Sequence, residues 1–439
     1  MTRRSPRAPI RLFASAGAAV VLLVAGSAHS SEAPAPTVDD PDVLTDAAVD
    51  SHPSLESLRT RVEALRYAGT SARLWSDPML GGELSNLPIT SPTLGSHPMA
   101  GVQLKIQQRF PAPGEPAARA ALADARVREA EGSVEEAANA LRGEVRSRYW
   151  DLTVVRQLRG VTREHVVELD GMLEAVRARY EVGVAEQHDL LQLQLRRDRL
   201  VEDLIDLDAR EAGLLASLNG ALARPPSSAI GTPSTNEIAQ PEGDAESRLA
   251  SLETHPAVLA RRAVAGTGRA AAHRARIEAR PEPTAWLGYR IRAPITGGDD
   301  GTNFVTAGVS VPLPFASTRR WRAAEKTAQA QARAADQAAD GTLQRLTARL
   351  AASEARYERA GKRAVTYRDQ LLPAARTTLD STLAAYPFDR ASFADLIRAS
   401  IDVLAVERTR LQAEVEAAAA LAEIQTLVGH SSPSTAEAQ

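Results

Sequence analysis

The stretch RARYEVGVAEQHDLLQLQLRRDRL, residues 177–200, is typical of a helix that ends at a turn and is followed by another helix. A second stretch, LAAYPFDRASFADLIRASIDVLAV at residues 383–406, has nearly the same order of residues. Tyr180 corresponds to Tyr386 and Asp189 to Asp395, each 206 positions later. A helix–turn–helix pattern that occurs twice predicts two helical hairpins of one kind in a single chain.

The similarity between the two halves extends well beyond these turns. SHPSLESL at 51 resembles THPAVLAR at 254, MLGGEL at 79 resembles WLGYRI at 286, and AGVQLKI at 100 resembles AGVSVPL at 307. The matches keep their order at offsets of 203 to 207, which predicts a tandem duplication. We therefore expect a first repeat over 51–222, a Pro/Ser/Gly-rich linker over 223–250, and a second repeat over 251–430.

The N-terminus has the pattern of a secretory signal peptide. Four arginines precede the apolar run LFASAGAAVVLLVAG, and small residues follow it. A membrane anchor is the alternative, but the run from Leu12 to Gly26 is shorter than the roughly 20 residues of a spanning helix. We expect a signal peptide over 1–30, cleaved after Ala28 or Ser30, a flexible segment over 31–50, and a tail over 431–439.

Composition excludes several classes of function. The chain has no cysteine, which excludes disulfides, thiolate metal sites and a lipidated N-terminal cysteine, so the protein is expected not to be lipidated. Its net charge of −3 argues against nucleic-acid binding. No catalytic constellation, cofactor motif or metal-ligand spacing is present, and the chain is not expected to be an enzyme. His188 could be a metal ligand or a solvated helix residue, and the acid pair Asp299-Asp300 is typical of a turn.

Each repeat contains two segments of alternating polarity and then a long helical hairpin. The predicted strands are 78–88 and 99–110 in the first repeat, and 284–293 and 303–314 in the second. Strict alternation over about ten residues predicts strands with one apolar face, either in a soluble domain or in a membrane barrel built by several chains. The hairpins are predicted at 115–222 and 317–429. Leucines recur every seven residues on the returning helix at positions 193, 200, 207 and 214, which predicts coiled-coil packing.

These features together resemble the TolC family of outer-membrane efflux proteins over about residues 50–430. The segment SNLPITSPTLGSHPMAGVQLKIQQRFPAPGEP (85–116) is similar to a pattern of the heavy-metal efflux (CusC/CzcC-like) subfamily. The matching positions are Asn86-Leu87-Pro88, Met99, Gly101, Gln107 or Gln108, Phe110-Pro111 and Pro113-Gly114. Two positions depart from that pattern, Ala112 where an aromatic residue is usual and Glu115 where a lysine is usual.

The resemblance implies a fold, an assembly and a function. Three chains of four strands would close a 12-stranded barrel in the outer membrane, and their long helices would continue it as a periplasmic coiled-coil barrel. The homotrimer would serve as the passive channel of a tripartite, RND-type efflux system, with a periplasmic adaptor and an inner-membrane pump as partners. Metal cations or other small molecules would be its cargo. The alternatives from other classes are a periplasmic adaptor and a coiled-coil scaffold.

The resemblance also implies roles for residues near the two turns. Asp395 matches a gate acid of the family, Arg398 stands at the position of a second acid, and Asp189 is the equivalent in the first repeat. An acid in the first turn of a helix also interacts favourably with the helix dipole, so capping is the alternative for Asp395. The candidates for adaptor docking are Val182, Gly183 and Val184 at the first turn and Pro387, Phe388, Asp389 and Arg390 at the second.

Overall fold

The computed structural model describes residues 40–232, 240–295, 298, 300–313 and 317–429. The predicted signal peptide (1–30) and tail (431–439) lie outside the described residues. So do residues 31–39 of the expected flexible segment, residues 233–239 of the linker, and Asp299.

Long helices and four short strands make up the described part of the chain, which confirms a mainly helical fold with a small β part. Helix α1 (Pro41–Ser51) precedes the first repeat, which contains α2 (Pro53–Ala72), β1 (Met79–Ser85), β2 (Gly101–Arg109), α3 (Glu115–Glu181) and α4 (Gln187–Ala221). Helix α5 (Ala245–Ser251) precedes the second repeat, which contains α6 (Pro256–Ile277), β3 (Thr284–Ile291), β4 (Phe304–Ser310), α7 (Ser317–Thr366), α8 (Leu372–Ala385) and α9 (Phe393–Val428).

Helices α2 and α6 begin with the same local chemistry. His52 and His255 each precede a proline in the first helical turn, where its missing N–H is not needed. The Nδ1 atom of each histidine accepts a hydrogen bond from the backbone N–H two residues later, at 3.3 and 3.1 Å. The duplicated His-Pro pair thus forms the same N-cap twice.

The expectation of a flexible segment over 31–50 is wrong for its described part, because α1 begins at Pro41. Asp40 caps this helix by accepting a hydrogen bond from the N–H of Asp42 at 2.8 Å. Leu44 and Ala48, one turn apart, are buried in a core cluster with residues of α3. Capping and apolar burial together make this short helix stable on the larger one.

The predicted linker, 223–250, is also more ordered than expected. Ile230 is buried in the core cluster, and Asn219 at the end of α4 donates hydrogen bonds to two carbonyls of the segment, at 3.1 and 2.9 Å. Helix α5 begins within the predicted linker, and Asp244 caps it. The Pro/Ser/Gly-rich composition of this segment predicted an irregular backbone, but it did not predict that the segment packs against the helical core.

The strands form one antiparallel sheet in the order β1-β2-β3-β4. The β2–β3 pair joins the first repeat to the second, so the two repeats share a single sheet. One row of residues runs across all four strands, with Gly82 opposite Leu104, Leu104 opposite Tyr289, and Tyr289 opposite Val305.

The strands are shorter than the alternation predicted. Strand β1 ends at Ser85 because Asn86 adopts a left-handed backbone with a φ of 57°. Strand β4 ends at Ser310, shortly before Pro312, which has no N–H to donate to a sheet. Local backbone chemistry, rather than polarity, sets these ends.

Helix α3 is the longest element, with 67 residues, and extends over roughly 100 Å at 1.5 Å per residue. It packs against α1, α2, α4, α6 and α9. On α4 the predicted seam residues Leu193, Leu200 and Leu207 are buried. None of the helices in the described ranges is both long and apolar enough to cross a membrane.

The outgoing helix of the second hairpin is not uniform. A single π-helical turn at Tyr367–Leu371 separates α7 from α8. Pro373 follows in the first turn of α8, and a proline removes one i→i−4 hydrogen bond. The wider turn accommodates this loss without breaking the helix.

Candidate functional site

The first hairpin turn is a Schellman motif at the end of α3. The N–H of Val184 donates to the carbonyl of Arg179 at 2.9 Å, and the N–H of Gly183 donates to the carbonyl of Tyr180 at 2.9 Å. Gly183 has a φ of +75°, a conformation that side chains rarely adopt, so glycine is required here by the backbone.

The second turn repeats this motif without a glycine. The N–H of Arg390 donates to the carbonyl of Ala385, and the N–H of Asp389 donates to the carbonyl of Tyr386, both at 3.2 Å. Asp389 has a φ of 58° and stands at the position equivalent to Gly183. Asp is one of the few residues that tolerate the left-handed region. The two turns therefore differ in sequence but share one backbone geometry.

One residue of the first hairpin binds the turn of the second. The guanidinium of Arg179 donates to the carbonyl of Pro387 at 2.8 Å and to Oδ1 of Asp389 at 2.6 Å. It also lies 4.8 Å from the centre of the Tyr386 ring. Burial raises the pKa of the Tyr386 hydroxyl, and the nearby Arg179 cation opposes that shift. We call this set of contacts the Arg179 bridge.

Sequence reasoning did not single out Arg179. It occupies the last turn of α3, where a basic residue is common because it faces the negative end of the helix dipole. Its counterpart in the second repeat is Ala385, so the duplication marks it as an asymmetric position. This difference between the repeats could have identified Arg179 as a candidate, but only the tertiary structure shows which residues its guanidinium contacts.

Asp189 lies in the first turn of α4 and is mostly buried beside the second hairpin. Its Oδ1 atom is 3.0 Å from Nε2 of His188, whose Nδ1 is 3.0 Å from Oε2 of Glu186. The predicted alternatives for His188 were a metal ligand and a solvated helix position. Within the described residues no group of three or more His, Asp or Glu is arranged to hold a metal ion.

Asp395 forms a capping box at the start of α9. Its backbone N–H donates to Oγ of Ser392 at 3.2 Å, and its carboxylate accepts from the N–H of Ser392 at 3.3 Å. Hydrogen bonds from the Ser392 side chain and backbone lower the pKa of Asp395. Arg398 approaches the other carboxylate oxygen at 3.5 Å, and both side chains are exposed. Capping is thus observed in one chain, and a role in a pore stays a prediction.

The candidate docking residues at the two tips are all exposed, and some of them also take part in contacts between the hairpins. Val182 and Phe388 are 72% and 73% exposed, and Val184 is also exposed, so both tips present apolar side chains to solvent. Pro387 and Asp389 instead contribute a carbonyl and a carboxylate to the Arg179 bridge. The last candidate, Arg390, is exposed beside them.

Below the tips, the two hairpins share a core that contains one buried ionic cluster. His165 of α3 lies 2.9 Å from Oε2 of Glu407 in α9 and 3.1 Å from Oε2 of Glu168. Arg376 of α8 also ion-pairs with Glu407. Sequence reasoning missed this cluster, because Glu407 is 31 positions from Arg376 and 242 from His165, and these separations match no spacing rule.

One face of the sheet is apolar and exposed, whereas a sheet in a soluble protein buries its apolar face against a core. Alternation and register place a set of side chains on one surface, which we call the apolar face: Leu80, Leu84, Val102, Leu104, Ile106, Leu287, Tyr289, Ile291, Val305, Ala307 and Val309. In the described chain most of these are exposed, Leu80 by 78% and Val305 by 68%. Exposed apolar surface of this extent marks a place where another molecule or a membrane binds.

A comparison with protein families finds a match that includes the first hairpin and the strands β1 and β2. Residues 44–222 match the outer membrane efflux protein family. The match covers α1 from Leu44 onwards and the whole of the first repeat. No curated protein matches the chain significantly.

Solved structures of outer-membrane proteins share this fold over both repeats. The outer-membrane channel OprN superimposes with a TM-score of 0.74 at 16% identity, covering 89% of each chain. VceC of Vibrio cholerae has a TM-score of 0.72 at 17% identity, covering 89% of this chain and 96% of its own. CusC has a TM-score of 0.72 at 14% identity, covering 90% and 93%. At these identities the likeness concerns the fold alone.

Proposed function

We propose that the whole chain is an outer membrane efflux protein, which acts as the passive outer-membrane channel of a tripartite exporter. In this proposal it is exported by the signal peptide at 1–30, is not lipidated, and performs no catalysis of its own. The family match over 44–222 and the shared fold of the channel structures support the proposal.

The exposed apolar face of the sheet is the observation that carries the proposal. A soluble sheet with one apolar face buries that face against a core, whereas a membrane barrel turns it outward to lipid. The opposite surface holds polar and charged side chains, as the lumen of a barrel does. Apolar burial in lipid would therefore stabilise a sheet that is left exposed in an isolated chain.

The free edges of the sheet support a homotrimer. Among the described residues, β1 and β4 each have a strand neighbour on one side only. Unpaired backbone groups are not tolerated in lipid, so β1 of one copy would pair with β4 of the next. Three copies of four strands would close a 12-stranded barrel, and the two helical hairpins per chain would line a periplasmic tunnel.

The hairpin tips are proposed as the periplasmic end of this tunnel. The exposed side chains of Val182, Val184 and Phe388 would contact the periplasmic adaptor, with Gly183 setting the shape of the first turn. Asp189, Asp395 and Arg398 would line the pore, where rings of charge influence which ions pass. The inner-membrane pump would supply the energy of transport.

The cargo is proposed from the sequence motif. The pattern between Asn86 and Gly114 supports metal cations, and the departures at Ala112 and Glu115 leave other small solutes as the alternative. A periplasmic adaptor or scaffold function finds less support, because neither requires an exposed apolar sheet joined to two helical hairpins.

Fractionation of cells that produce the chain tests the proposed location and assembly. We expect trimers in the outer-membrane fraction that resist extraction by high salt, since apolar contact with lipid is not screened by ions. Monomers in the soluble periplasm would overturn the proposal. A periplasmic domain of similar size, expressed alongside, controls for leakage between fractions.

A further inference from the structure

Two equivalent ion pairs align the helices of one repeat with those of the other. Arg66 of α2 binds Glu131 of α3 at 2.7 Å, and Arg269 of α6 binds Asp336 of α7 at 2.9 Å. The two arginines are 203 positions apart in the sequence, and the two acids are 205 positions apart. The helix pair α6 and α7 is therefore built like the pair α2 and α3, and these offsets relate the residues of one pair to those of the other.

Helix α3 of the first repeat also packs against α6 of the second. A Cβ atom on Gly132 would lie 3.7 Å from Cβ of Ala260. Further along α3, Nδ2 of Asn139 lies 3.1 Å from Nε2 of His255, whose side chain is buried. Strand β2 precedes α3 and β3 follows α6, so this helix contact continues the pairing of β2 with β3.

The residues that correspond to Asn139 and His255 do not meet within the described chain. The offsets relate them to Gln344 on α7 and His52 at the start of α2. In the described ranges α2 packs against α1 and α3, and α7 packs against α6 and α9, but α2 and α7 are not packed together. Nδ1 of His52 accepts a hydrogen bond from the N–H of Ser54, so the proton of the neutral ring lies on Nε2. That donor has no partner among the described residues, and Gln344 is exposed.

A second pair of corresponding residues lies nearby on the same two helices. Gly132 and Ala260 correspond to Gln337 and Ser57, and both of the latter are exposed. A glutamine in place of glycine would keep α7 and an α2 helix farther apart than α3 and α6 are. The side chain of Gln344 is longer than that of its counterpart by one methylene, which suits this wider separation.

We propose that α7 of one copy packs against α2 of the next copy in the register in which α3 packs against α6, with Nε2 of His52 donating to the side-chain oxygen of Gln344. This inference rests on the proposed homotrimer. Strand β4 precedes α7 and β1 follows α2, so the contact would continue the proposed pairing of β4 with β1. A head-to-tail contact of this kind is the type of interface that closes a ring of identical copies.

Cross-linking tests the proposed register, because the chain has no native cysteine. In outer-membrane fractions, a short bismaleimide should link Ser57→Cys of one copy to Gln337→Cys of the next and give dimers and trimers on denaturing gels. Both positions are exposed, so the changes leave the core intact. The matched control combines Ser57→Cys with Glu358→Cys, about 30 Å further along α7, and should give monomers.

Replacing Gln344 tests the hydrogen bond and serves also if the cysteine pair does not assemble. Gln344→Ala should lower the temperature at which half of the trimers dissociate in mild detergent, because each of three contacts loses its acceptor. Gln344→Glu keeps an acceptor at the same length and should keep the dissociation temperature closer to that of the natural chain. Gln331→Ala, an exposed glutamine that the helical period places on another side of α7, is the control. An unchanged dissociation temperature in Gln344→Ala would overturn the hydrogen bond.

The outcomes separate this inference from the proposal beneath it. Trimers that cross-link through cysteines on β1 and β4, but not through Ser57→Cys and Gln337→Cys, would overturn the helix register and leave the barrel in place. Monomers in the soluble periplasm, with no cross-link from either pair, would overturn the proposed function together with the inference.

Discussion

Arg179 shows how one residue gives two equivalent turns different environments. Both turns are Schellman motifs with the same backbone geometry, and the left-handed position is Gly183 in one and Asp389 in the other. Replacing glycine by aspartate adds a carboxylate that can pair with a cation. Arg179, whose counterpart is Ala385, provides that cation from the other hairpin. The two differences between the repeats, Gly183 against Asp389 and Arg179 against Ala385, thus produce one ion pair between the hairpins.

Removing the Arg179 bridge should loosen the contact between the two tips. For Arg179→Ala we expect faster proteolysis at 387–390 and a larger single-channel conductance, since about 1–2 kcal/mol of charge-assisted hydrogen bonding in a partly exposed site is lost. Limited proteolysis and bilayer recordings measure these effects. Arg177→Ala, at an exposed position on the same helix, is the control, and Asp389→Asn should reproduce the effect. Unchanged proteolysis in both Arg179→Ala and Asp389→Asn would contradict the role of the bridge.

Asp395 has an observed capping role and a proposed pore role, and two variants separate them. Asp395→Asn removes the charge, whereas Ser392→Ala removes the partner that the capping box requires. If the acid lines the pore, Asp395→Asn should shift bilayer selectivity away from cations, and Ser392→Ala should lower only thermal stability. Equal selectivity in Asp395→Asn and the natural chain would leave Asp395 as a capping residue.

At the scale of elements, the two hairpins are joined through buried polar groups as well as through leucines. The shared core contains Leu193, Leu200, Leu396 and Val403, and the cluster of His165, Glu407 and Arg376 lies beside it. Buried ions are stable only when they are paired, so this cluster specifies one alignment of α3 against α8 and α9.

The ionic cluster predicts a loss of stability in acid. The hydrogen bond from His165, reinforced by Arg376, holds the pKa of Glu407 below the ordinary glutamate value of 4.5 despite burial. A lowered pKa in the folded state stabilises the fold above pH 4.5, and this contribution is lost as pH falls below that value. Thermal unfolding followed by circular dichroism between pH 7 and pH 3 should show this fall.

Two variants sharpen this measurement. Glu407→Gln should be less stable than the natural chain at pH 7 by about 1–3 kcal/mol, because the buried His165 and the exposed Arg376 lose the carboxylate that they contact. Its stability should also depend less on pH below 4.5. Glu358→Gln changes an exposed acid on α7 and should leave both quantities unaltered. A pH dependence identical in Glu407→Gln and the natural chain would exclude Glu407 as its source.

At the scale of the whole molecule, the described part of the chain leaves apolar surface and strand edges without a contact inside the chain. One surface of its sheet is apolar and exposed, and β1 and β4 have unpaired edges. A membrane around the apolar face and further copies at both edges would satisfy each of these features. In the proposed membrane barrel, assembly and environment would be linked, because the edge strands could be paired in lipid only if the barrel closed.

The absence of native cysteine allows a direct test of edge pairing. In a double variant, Glu83→Cys on β1 and Phe304→Cys on β4, a short bismaleimide should cross-link neighbouring copies into dimers and trimers. The control pairs Glu83→Cys with Lys326→Cys on α7, which should give no ladder. Monomers alone from the edge pair, in the presence of intact trimers, would show that β1 and β4 are not neighbours.

Much of this fold could be predicted from local patterns in the sequence. Period-two alternation located the strands, heptads located the seam on α4, and the repeated turn located both hairpins. The same reasoning misplaced features whose signals were weak or short, such as α1 and the packed part of 223–250. Compositional rules describe backbone preference, but they do not report which surface a segment covers.

The sequence by itself determined the duplication, the secondary structure and the polarity of each strand face, because these depend on residues that are close together in the chain. The tertiary structure decided the register that joins β2 to β3, the Arg179 bridge and the ionic cluster around Glu407. These depend on contacts between residues as far apart as 31 to 242 positions, such as Arg376 and His165 with Glu407. Local periodicity cannot encode such pairs, since a side chain meets its distant partner only after the helices and strands have packed.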